Sequence, residues 1–192
     1  MASRTRGTYD EAMDDIVKQA MAKWPNVPDC YGWLGLDARG NWYLRDDQAQ
    51  AVGPFSSGLP GAKGSLLRHD KLVDFIQRNY ERDANGQWFF QNGPQRVFVE
   101  LQAAPWVWRV AGDGSVTSHA GDPVQVREVM MDESGRVFML TDRGLGLVHT
   151  QDMAAVADAV EQGRWLPRDV AAETLPARYG FVLSPQARWA AG

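Results

Sequence analysis

The chain has 192 residues, of which 44% are hydrophobic and 23% charged, a composition typical of a globular protein rather than a disordered or membrane protein. Its 24 acidic and 20 basic residues give a net charge of −4 without a local basic stripe, which disfavours nucleic-acid binding. Cys30 is the single cysteine, and no apolar stretch of secretory or transmembrane length follows Met1. We therefore expect a soluble cytoplasmic protein that has no internal disulfide and does not enter a membrane.

Capping residues and apolar periodicity predict three helices, over residues 8–24, 65–80 and 150–163. The first has Thr8 as its N-cap with Glu11 at capping-box spacing, and it ends before a proline. Serine begins the second, threonine begins the third, and a glycine ends the third.

Short runs of alternating residues predict a protein rich in β-strands. A hairpin is expected from strands at 31–36 and 41–45, followed by a long loop over 46–64 that is rich in Gly and Pro. Further strands are predicted at 87–91, 95–101, 105–110, 114–119, 123–131, 136–140, 144–149 and 179–183. Residues 188–192 are expected to fray.

A turn of the form Asp-x-x-Gly followed by an aromatic strand occurs three times, at residues 37–43, 83–89 and 132–138. The Asp side chain can accept hydrogen bonds from the backbone N–H groups that follow it, and Gly accepts a positive φ. Two interpretations stay open: an internal duplication, or repeated use of a favourable hairpin turn.

Several of these segments resemble an uncharacterised proteobacterial family that has no assigned activity. The resemblance is carried by residues 33–37, the Gly-x-Trp turns, residues 97–100 and the Ala-Pro-Trp run that ends at Trp106. The same order is more distantly similar to a second uncharacterised bacterial family, whose members have a duplicated core and a pleckstrin-homology-like C-terminal half. That second resemblance implies a ligand pocket at the domain interface, for a nucleotide-like molecule, and a role in signalling.

These observations together predict an α+β fold with two units. Residues 1–82 are expected to form an N-terminal helix–hairpin–helix unit. It packs on residues 83–192, a C-terminal pleckstrin-homology-like unit, in which a bent antiparallel sheet or barrel is followed by a helix.

No catalytic or metal centre is recognisable in the sequence. His69, His119 and His149 are far apart and lack metal-ligand spacing, and Cys30 has no neighbouring His. We therefore predict no metal, no cofactor and no catalytic residue. Lys63, with the helix expected to begin at Ser65, could bind an anion, although a solvated loop is the favoured interpretation.

Eight tryptophans are unusual in a chain of this length, and several of them lie near arginines in the predicted strands. Indole and guanidinium groups together can bind a planar anion by stacking and by forked hydrogen bonds. The predicted ligand-binding residues are Trp33, Trp42, Arg45, Trp88, Arg96, Trp106 and Arg143. In the other interpretation, the indoles are core residues that join the two units.

The favoured function is recognition of a small anionic or nucleotide-like ligand at the junction of the two units. A protein–protein interaction module is the alternative, and a homodimer is among the expected partners. A third hypothesis, an enzyme, would use Glu100, Asp113 or Asp122 as a general base.

Overall fold

The computed structural model describes residues 14–192 and shows an α+β fold with two mixed β-sheets, one of them curled into a half-barrel. The helices are α1 (Asp15–Lys23), α2 (Asp47–Val52), α3 (Asp70–Arg78), α4 (Met153–Glu161), α5 (Leu175–Tyr179) and α6 (Pro185–Ala191). The strands are β1 (Cys30–Leu36), β2 (Trp42–Leu44), β3 (Ser65–Leu66), β4 (Tyr80–Arg82), β5 (Trp88–Asn92), β6 (Gln95–Leu101), β7 (Trp106–Val110), β8 (Val116–Ser118), β9 (Pro123–Val124), β10 (Val126–Met131), β11 (Val137–Thr141), β12 (Gly144–Val148) and β13 (Arg168–Asp169). None of the helices in this described part has the length and apolar character needed to cross a bilayer.

Sheet one has the strand order β3-β2-β1-β6-β5-β4. Its centre is the parallel pair β1 and β6, where Leu34 lies opposite Val99 and Leu36 opposite Leu101, and all four side chains are buried. Sheet one thus joins strands from both sides of the predicted domain boundary after residue 82, and that boundary stays a prediction.

Sheet two has the order β13-β10-β11-β12-β7-β8-β9. Apart from β13, this order repeats that of sheet one. The two sets of consecutive strands are β1 to β6 and β7 to β12. In each set the first strand pairs in parallel with the sixth, and antiparallel hairpins extend the sheet on both sides. The two sheets therefore share one topology over six strands each.

The three predicted Asp-x-x-Gly turns are confirmed as hairpin turns between β1 and β2, β4 and β5, and β10 and β11. In each, the Oδ1 atom of Asp37, Asp83 or Asp132 accepts hydrogen bonds from the backbone N–H groups two and four residues later, at 2.8–3.0 Å. The glycines that follow have φ values between 78° and 82°. The side-chain bonds and the left-handed glycine explain why this motif turns the chain.

Two of these glycines allow a matched test. A Cβ atom at Gly86 would lie 2.3 Å from the carbonyl oxygen of Gly180, whereas nothing lies within 4 Å of a Cβ atom at Gly135. We expect Gly135→Ala to cost only the left-handed penalty of about 1 kcal/mol, and Gly86→Ala to cost about 2 kcal/mol or more, since backbone must also move. Urea unfolding of both variants measures the difference, and equal losses would contradict the predicted clash.

Two predictions for the N-terminal half are wrong. The expected loop after residue 45 contains α2, whose N-cap Asp46 accepts a hydrogen bond from the Ala49 N–H at 2.9 Å. No helix begins at Ser65, which lies in the edge strand β3 beside β2. The helix begins five residues later at Asp70, and the Nδ1 atom of His69 accepts the N-cap hydrogen bond.

The other helix limits are confirmed more closely. α1 ends at Lys23 with Trp24 as its C-cap, close to the predicted end, while its predicted N-cap Thr8 and Glu11 lie outside the described residues. α4 lies within the predicted third helix, although a 3-10 turn capped by His149 precedes it. Gly163 follows the helix with φ of 72°, as a C-terminal glycine does.

The C-terminal residues differ from the prediction. The strand expected at 179–183 is absent there: α5 ends at Tyr179, and the following residues make isolated main-chain hydrogen bonds to sheet one. Residues 185–191 form α6 instead of fraying, and Trp189 of this helix stacks on Tyr31 of β1 at a centroid distance of 5.3 Å. These residues therefore cover one side of sheet one.

Candidate functional site

A cavity of about 800 Å³ lies between β4 at the edge of sheet one, the turn from β11 to β12 in sheet two, and the end of α5. Its aromatic lining consists of Tyr80 of β4, Trp88 of β5, Trp106 of β7, and Tyr179 and Phe181 at and just after the end of α5. Proteins bind small ligands in pockets of this size, in which a few polar groups stand among apolar walls. The cavity is therefore the candidate site.

The wall between the two sheets is a cluster of aromatic side chains packed around Tyr80. Trp42, Trp88, Trp106 and His119 all have ring centroids within 4.9–6.4 Å of the Tyr80 ring. The Tyr80 hydroxyl donates a hydrogen bond to the Pro105 carbonyl at 2.8 Å. Close aromatic packing and this buried bond fix the wall in one arrangement.

His119 is the titratable member of this cluster. Its Nδ1 atom accepts a hydrogen bond from the Val107 N–H at 3.2 Å, so the neutral ring carries its proton on Nε2. Burial lowers the pKa of His119 to about 4, which the distant Asp37 carboxylate offsets only in part. The ring is therefore neutral at physiological pH.

Three of the predicted ligand-binding residues meet at the cavity: Trp88, Trp106 and Arg143. The Trp106 Nε1–H donates to the Arg143 carbonyl at 2.9 Å, which ties the indole to the β11–β12 turn. Trp42, also predicted, is 1% exposed and lies in the aromatic cluster without lining the cavity. Three of the seven predicted residues therefore line one cavity, and their role in ligand binding stays a prediction.

Two other predicted residues lie away from the cavity. Trp33 is 42% exposed on β1, where the register with β6 shifts by two residues and Gly32 takes a φ of 85°. Arg96 forms a forked ion pair with Asp29 at 2.8–2.9 Å. Its guanidinium also lies over the Phe98 ring, 5.2 Å from the centroid. The structure thus gives Arg96 a partner within the chain.

Arg45, the remaining predicted residue, is only 1% exposed and lies away from the cavity. Its guanidinium donates to three carbonyl oxygens, those of Ala62 at 2.8 Å, Gly32 at 3.1 Å and Gly53 at 2.7 Å. These acceptors belong to β1 and to the segment between β2 and β3. Arg45 therefore holds that segment against the sheet.

A buried carboxylate accompanies this guanidinium. Burial raises the pKa of Glu100, against the effects of the Ser184 hydroxyl, the Gln186 N–H and the nearby Arg45 charge. Its oxygens accept the hydroxyl at 2.5 Å and the N–H at 3.2 Å, at the N-terminus of α6. Since this carboxylate lies away from the cavity, its contacts are those of a helix cap.

The other two carboxylates of the enzyme hypothesis differ in position. Asp113 is exposed in the turn from β7 to β8, and its pKa is lowered chiefly by hydrogen bonds from Ser115. Asp122 lines the cavity and forms an ion pair with Arg143, 3.3 Å between Oδ2 and Nη1. Asp122 is therefore the one member of that trio at the candidate site.

Two further predictions concerned single residues. The less favoured interpretation of Lys63, an anion site at a helix start, lacks its helix because none begins at Ser65; Lys63 donates to the Gln102 side chain at 3.0 Å. Cys30 is half-buried, and burial raises the pKa of its thiol. Within residues 14–192 no three His, Cys, Asp or Glu side chains are grouped so as to hold a metal.

Four arginines line the cavity, and two of them have ionic partners. Arg143 pairs with Asp122, and Arg78 pairs with Asp14 at 3.2 Å. Arg82 and Arg127 are exposed, and neither has an ion-pair or hydrogen-bond partner for its side chain in the described part of the chain. These two guanidinium groups were not identified from the sequence.

A β-bulge places Arg127 at the cavity. Val126 lies opposite Thr141, but Glu128 lies opposite Leu140, so β10 carries one more residue than β11 at this point. A bulge redirects the side chain of the extra residue, and bulges are frequent near functional sites. No local sequence signal marks it, because the register depends on pairing with β11.

The comparisons with known proteins show the family of the chain and identify two solved structures that are partly similar to it. The model of family DUF2944, described as "Protein of unknown function (DUF2946)", matches residues 13–186. A DUF1285 family protein from Silicibacter pomeroyi DSS-3 is 15% identical, with 72% of this chain and 74% of that chain covered and a TM-score of 0.46. A DUF1285 family protein from Shewanella baltica OS155 is 14% identical, with 66% and 91% covered and a TM-score of 0.44. No curated protein sequence matches the chain.

Proposed function

The chain belongs to the DUF2944 family of proteins of unknown function, and we propose that it is a ligand-binding or signalling protein. Its ligand is a small anionic molecule with a planar ring, such as a nucleotide, bound in the cavity between the two sheets. The protein is proposed to act in the cytoplasm by recognising this molecule rather than by transforming it.

The observation that carries this proposal is the pairing of aromatic walls with guanidinium groups around one cavity. Trp88 and Trp106 lie at the junction of the sheets, and Tyr179 at the end of α5 and Phe181 just after it also line the cavity. Aromatic faces stack on planar rings, while arginine forks bind carboxylate and phosphate groups. A volume of about 800 Å³ is sufficient for a ligand of nucleotide size.

Nuclear magnetic resonance of the tryptophan side chains tests the proposal. Titration with a panel of nucleotides and other anionic ring compounds is expected to shift the indole N–H signals of Trp88 and Trp106. The signals of Trp24 and Trp189, both exposed and away from the cavity, should not move. A panel that shifts none of the four signals, or shifts all four equally, would count against the proposal.

A pair of variants on α3 sharpens this test. Gln77 lines the cavity, so Gln77→Phe is expected to fill part of it and to weaken binding of the active compound about tenfold. Lys71→Phe changes an exposed residue of the same helix outside the cavity and should leave binding unchanged. Equal affinities for the two variants would place the compound elsewhere.

The alternative function, a protein–protein interaction module, is supported by a different surface. Leu166 is 87% exposed beside β10, and β13 pairs only with the last two residues of that strand. An open strand edge next to an apolar side chain can receive an extended segment of a partner, including a second copy in a homodimer. Light scattering of the wild-type protein and of Leu166→Ser tests this by measuring their masses. If both proteins have the mass of a monomer, a homodimer through this edge is contradicted.

We also propose that the two sheets arose by duplication. Support comes from their shared order of six strands and from the Asp-x-x-Gly turns. The turns at Asp37 and Asp83 lie in hairpins of sheet one, and the turn at Asp132 lies in a hairpin of sheet two. The helix–hairpin–helix description of residues 1–82 and the pleckstrin-homology-like description of residues 83–192 likewise stay proposals. The strands from β5 to β12 followed by α4 have the expected order, but β5 and β6 pair within sheet one.

A further inference from the structure

We propose that the cavity selects a ligand carrying a dianionic group, and that Arg82 and Arg127 are the residues that recognise its charge. This inference rests on the proposed function, because it concerns the same cavity. It adds the charge of the ligand and the two side chains that bind the charged group.

Two of the four arginines that line the cavity, Arg82 and Arg127, form no ion pair within the described residues, which favours an anion with more than one charge. The carboxylates of Glu81, Asp122 and Asp142 also line the cavity. Asp122 is paired with Arg143, and Asp142 accepts a hydrogen bond from the Gln125 N–H at 2.8 Å. Among residues 14–192, the guanidinium groups of Arg82 and Arg127 have no ion-pair or hydrogen-bond partner, and we assign them to the ligand.

The two arginines reach the cavity from different sheets. Arg82 is the last residue of β4 in sheet one, and its Nη1 atom lies 3.8 Å from the position of a Cβ atom built on Gly180. Arg127 comes from β10 in sheet two, where the bulge between Val126 and Glu128 redirects it. A ligand that contacts both arginines therefore also bridges the two sheets.

The chemistry of the guanidinium group defines the class of ligand. Each fork donates two parallel hydrogen bonds and keeps its charge at any physiological pH, so it prefers the oxygens of phosphate and carboxylate groups. A phosphomonoester carries a charge of about −1.5 to −2 at pH 7, and a pair of carboxylates carries a similar charge. Both satisfy two arginines, whereas a singly charged anion leaves one without a counter-charge.

Ring compounds that differ mainly in charge test this inference. 1-Naphthyl phosphate and naphthalene-2,3-dicarboxylate are the dianions, and 1-naphthyl sulfate is the monoanion of matched shape. Binding to the wild-type protein at pH 8 is followed through the indole signal of Trp106. We expect both or one of the dianions to bind about tenfold more tightly than the sulfate ester, and the better one identifies phosphate or dicarboxylate as the recognised group.

Variants then assign the preference to the two side chains. Arg82→Gln and Arg127→Gln should each reduce the preference for the dianion to about twofold, with little effect on 1-naphthyl sulfate. Arg68→Gln removes an exposed arginine outside the cavity and should preserve the preference, which controls for the change in net charge.

The outcomes separate the inference from the function on which it rests. If the wild-type protein binds all three compounds equally, or if the two variants keep the preference, the inference is overturned while the cavity remains a site for planar anions. If none of the compounds shifts the Trp106 signal, the proposed function fails, and the inference fails with it.

Discussion

Replacing Arg45 by alanine is expected to lower the free energy of unfolding by about 4 kcal/mol. The substitution leaves the carbonyl oxygens of Ala62, Gly32 and Gly53 without their donors. It also removes the charge that favours ionised Glu100 inside the protein. Unsatisfied buried acceptors cost about 1–3 kcal/mol each, and water entering the space recovers part of that cost. Urea unfolding followed by circular dichroism measures the loss.

Two further variants show whether the geometry of Arg45 matters. Arg45→Lys keeps the charge, but the single ammonium group of lysine cannot reach all three carbonyl oxygens. We therefore expect an intermediate loss in the free energy of unfolding. Arg96→Ala removes an arginine whose ion pair with Asp29 is 41% exposed on the arginine side, and should cost below about 1 kcal/mol. Equal losses for Arg45→Ala and Arg96→Ala would contradict the role assigned to the buried network.

Acidification is expected to destabilise the protein through His119 by about 3 kcal/mol between pH 7.5 and pH 4. The pKa of this residue is about 4 in the folded protein, compared with 6.5 for an ordinary histidine. Between these values the unfolded chain binds a proton that the folded protein does not bind. The free energy of unfolding therefore falls as the pH falls through this window, since each pKa unit corresponds to about 1.4 kcal/mol.

The comparison with His119→Asn isolates this contribution. An Asn side chain can still accept the Val107 N–H bond but does not titrate in this range. The variant is expected to be less stable than the wild-type protein at pH 7.5, because ring packing on Trp42 and Tyr80 is lost. Its stability should fall by about 3 kcal/mol less than that of the wild-type protein down to pH 4. A difference below about 1 kcal/mol would show that His119 is protonated in the folded state.

The sequence predicts best those elements whose signals are local. Asp37, Asp83 and Asp132 turn the chain through bonds to residues two and four positions later, so their hairpins could be recognised without any tertiary information. The strands between residues 88 and 148 follow from alternation and from these turns. The α+β class follows from both.

Elements that depend on distant partners are predicted less well. Ser65 resembles a helix N-cap, but pairing with β2 places it in a strand. Residues 179–183 have the composition of a strand, yet sheet one offers them only isolated bonds, among them Val182 N–H to the Gly86 carbonyl at 2.9 Å. The α2 cap, Asp46, did carry a local signal, which the many turn residues after it obscured.

The same distinction explains the candidate site. Trp88, Trp106 and Arg143 were predicted from composition and position, and they do line one cavity. Arg45 was predicted on the same grounds, but its burial depends on the backbone of residues far away in the sequence. Arg127 was not predicted, because a bulge in the pairing of β10 and β11 brings it to the cavity.

The network around Arg45 has a consequence for synthesis on the ribosome. Arg45 contacts Gln186, which lies 141 residues later, whereas Trp106 and Gly146 of sheet two are paired across about 40 residues. Sheet two can close as soon as its own strands emerge, since short loops close quickly. A nascent chain that ends before residue 184 instead holds Glu100 without the groups that cap α6. Until then the side of sheet one that α6 covers is exposed to chaperones and proteases.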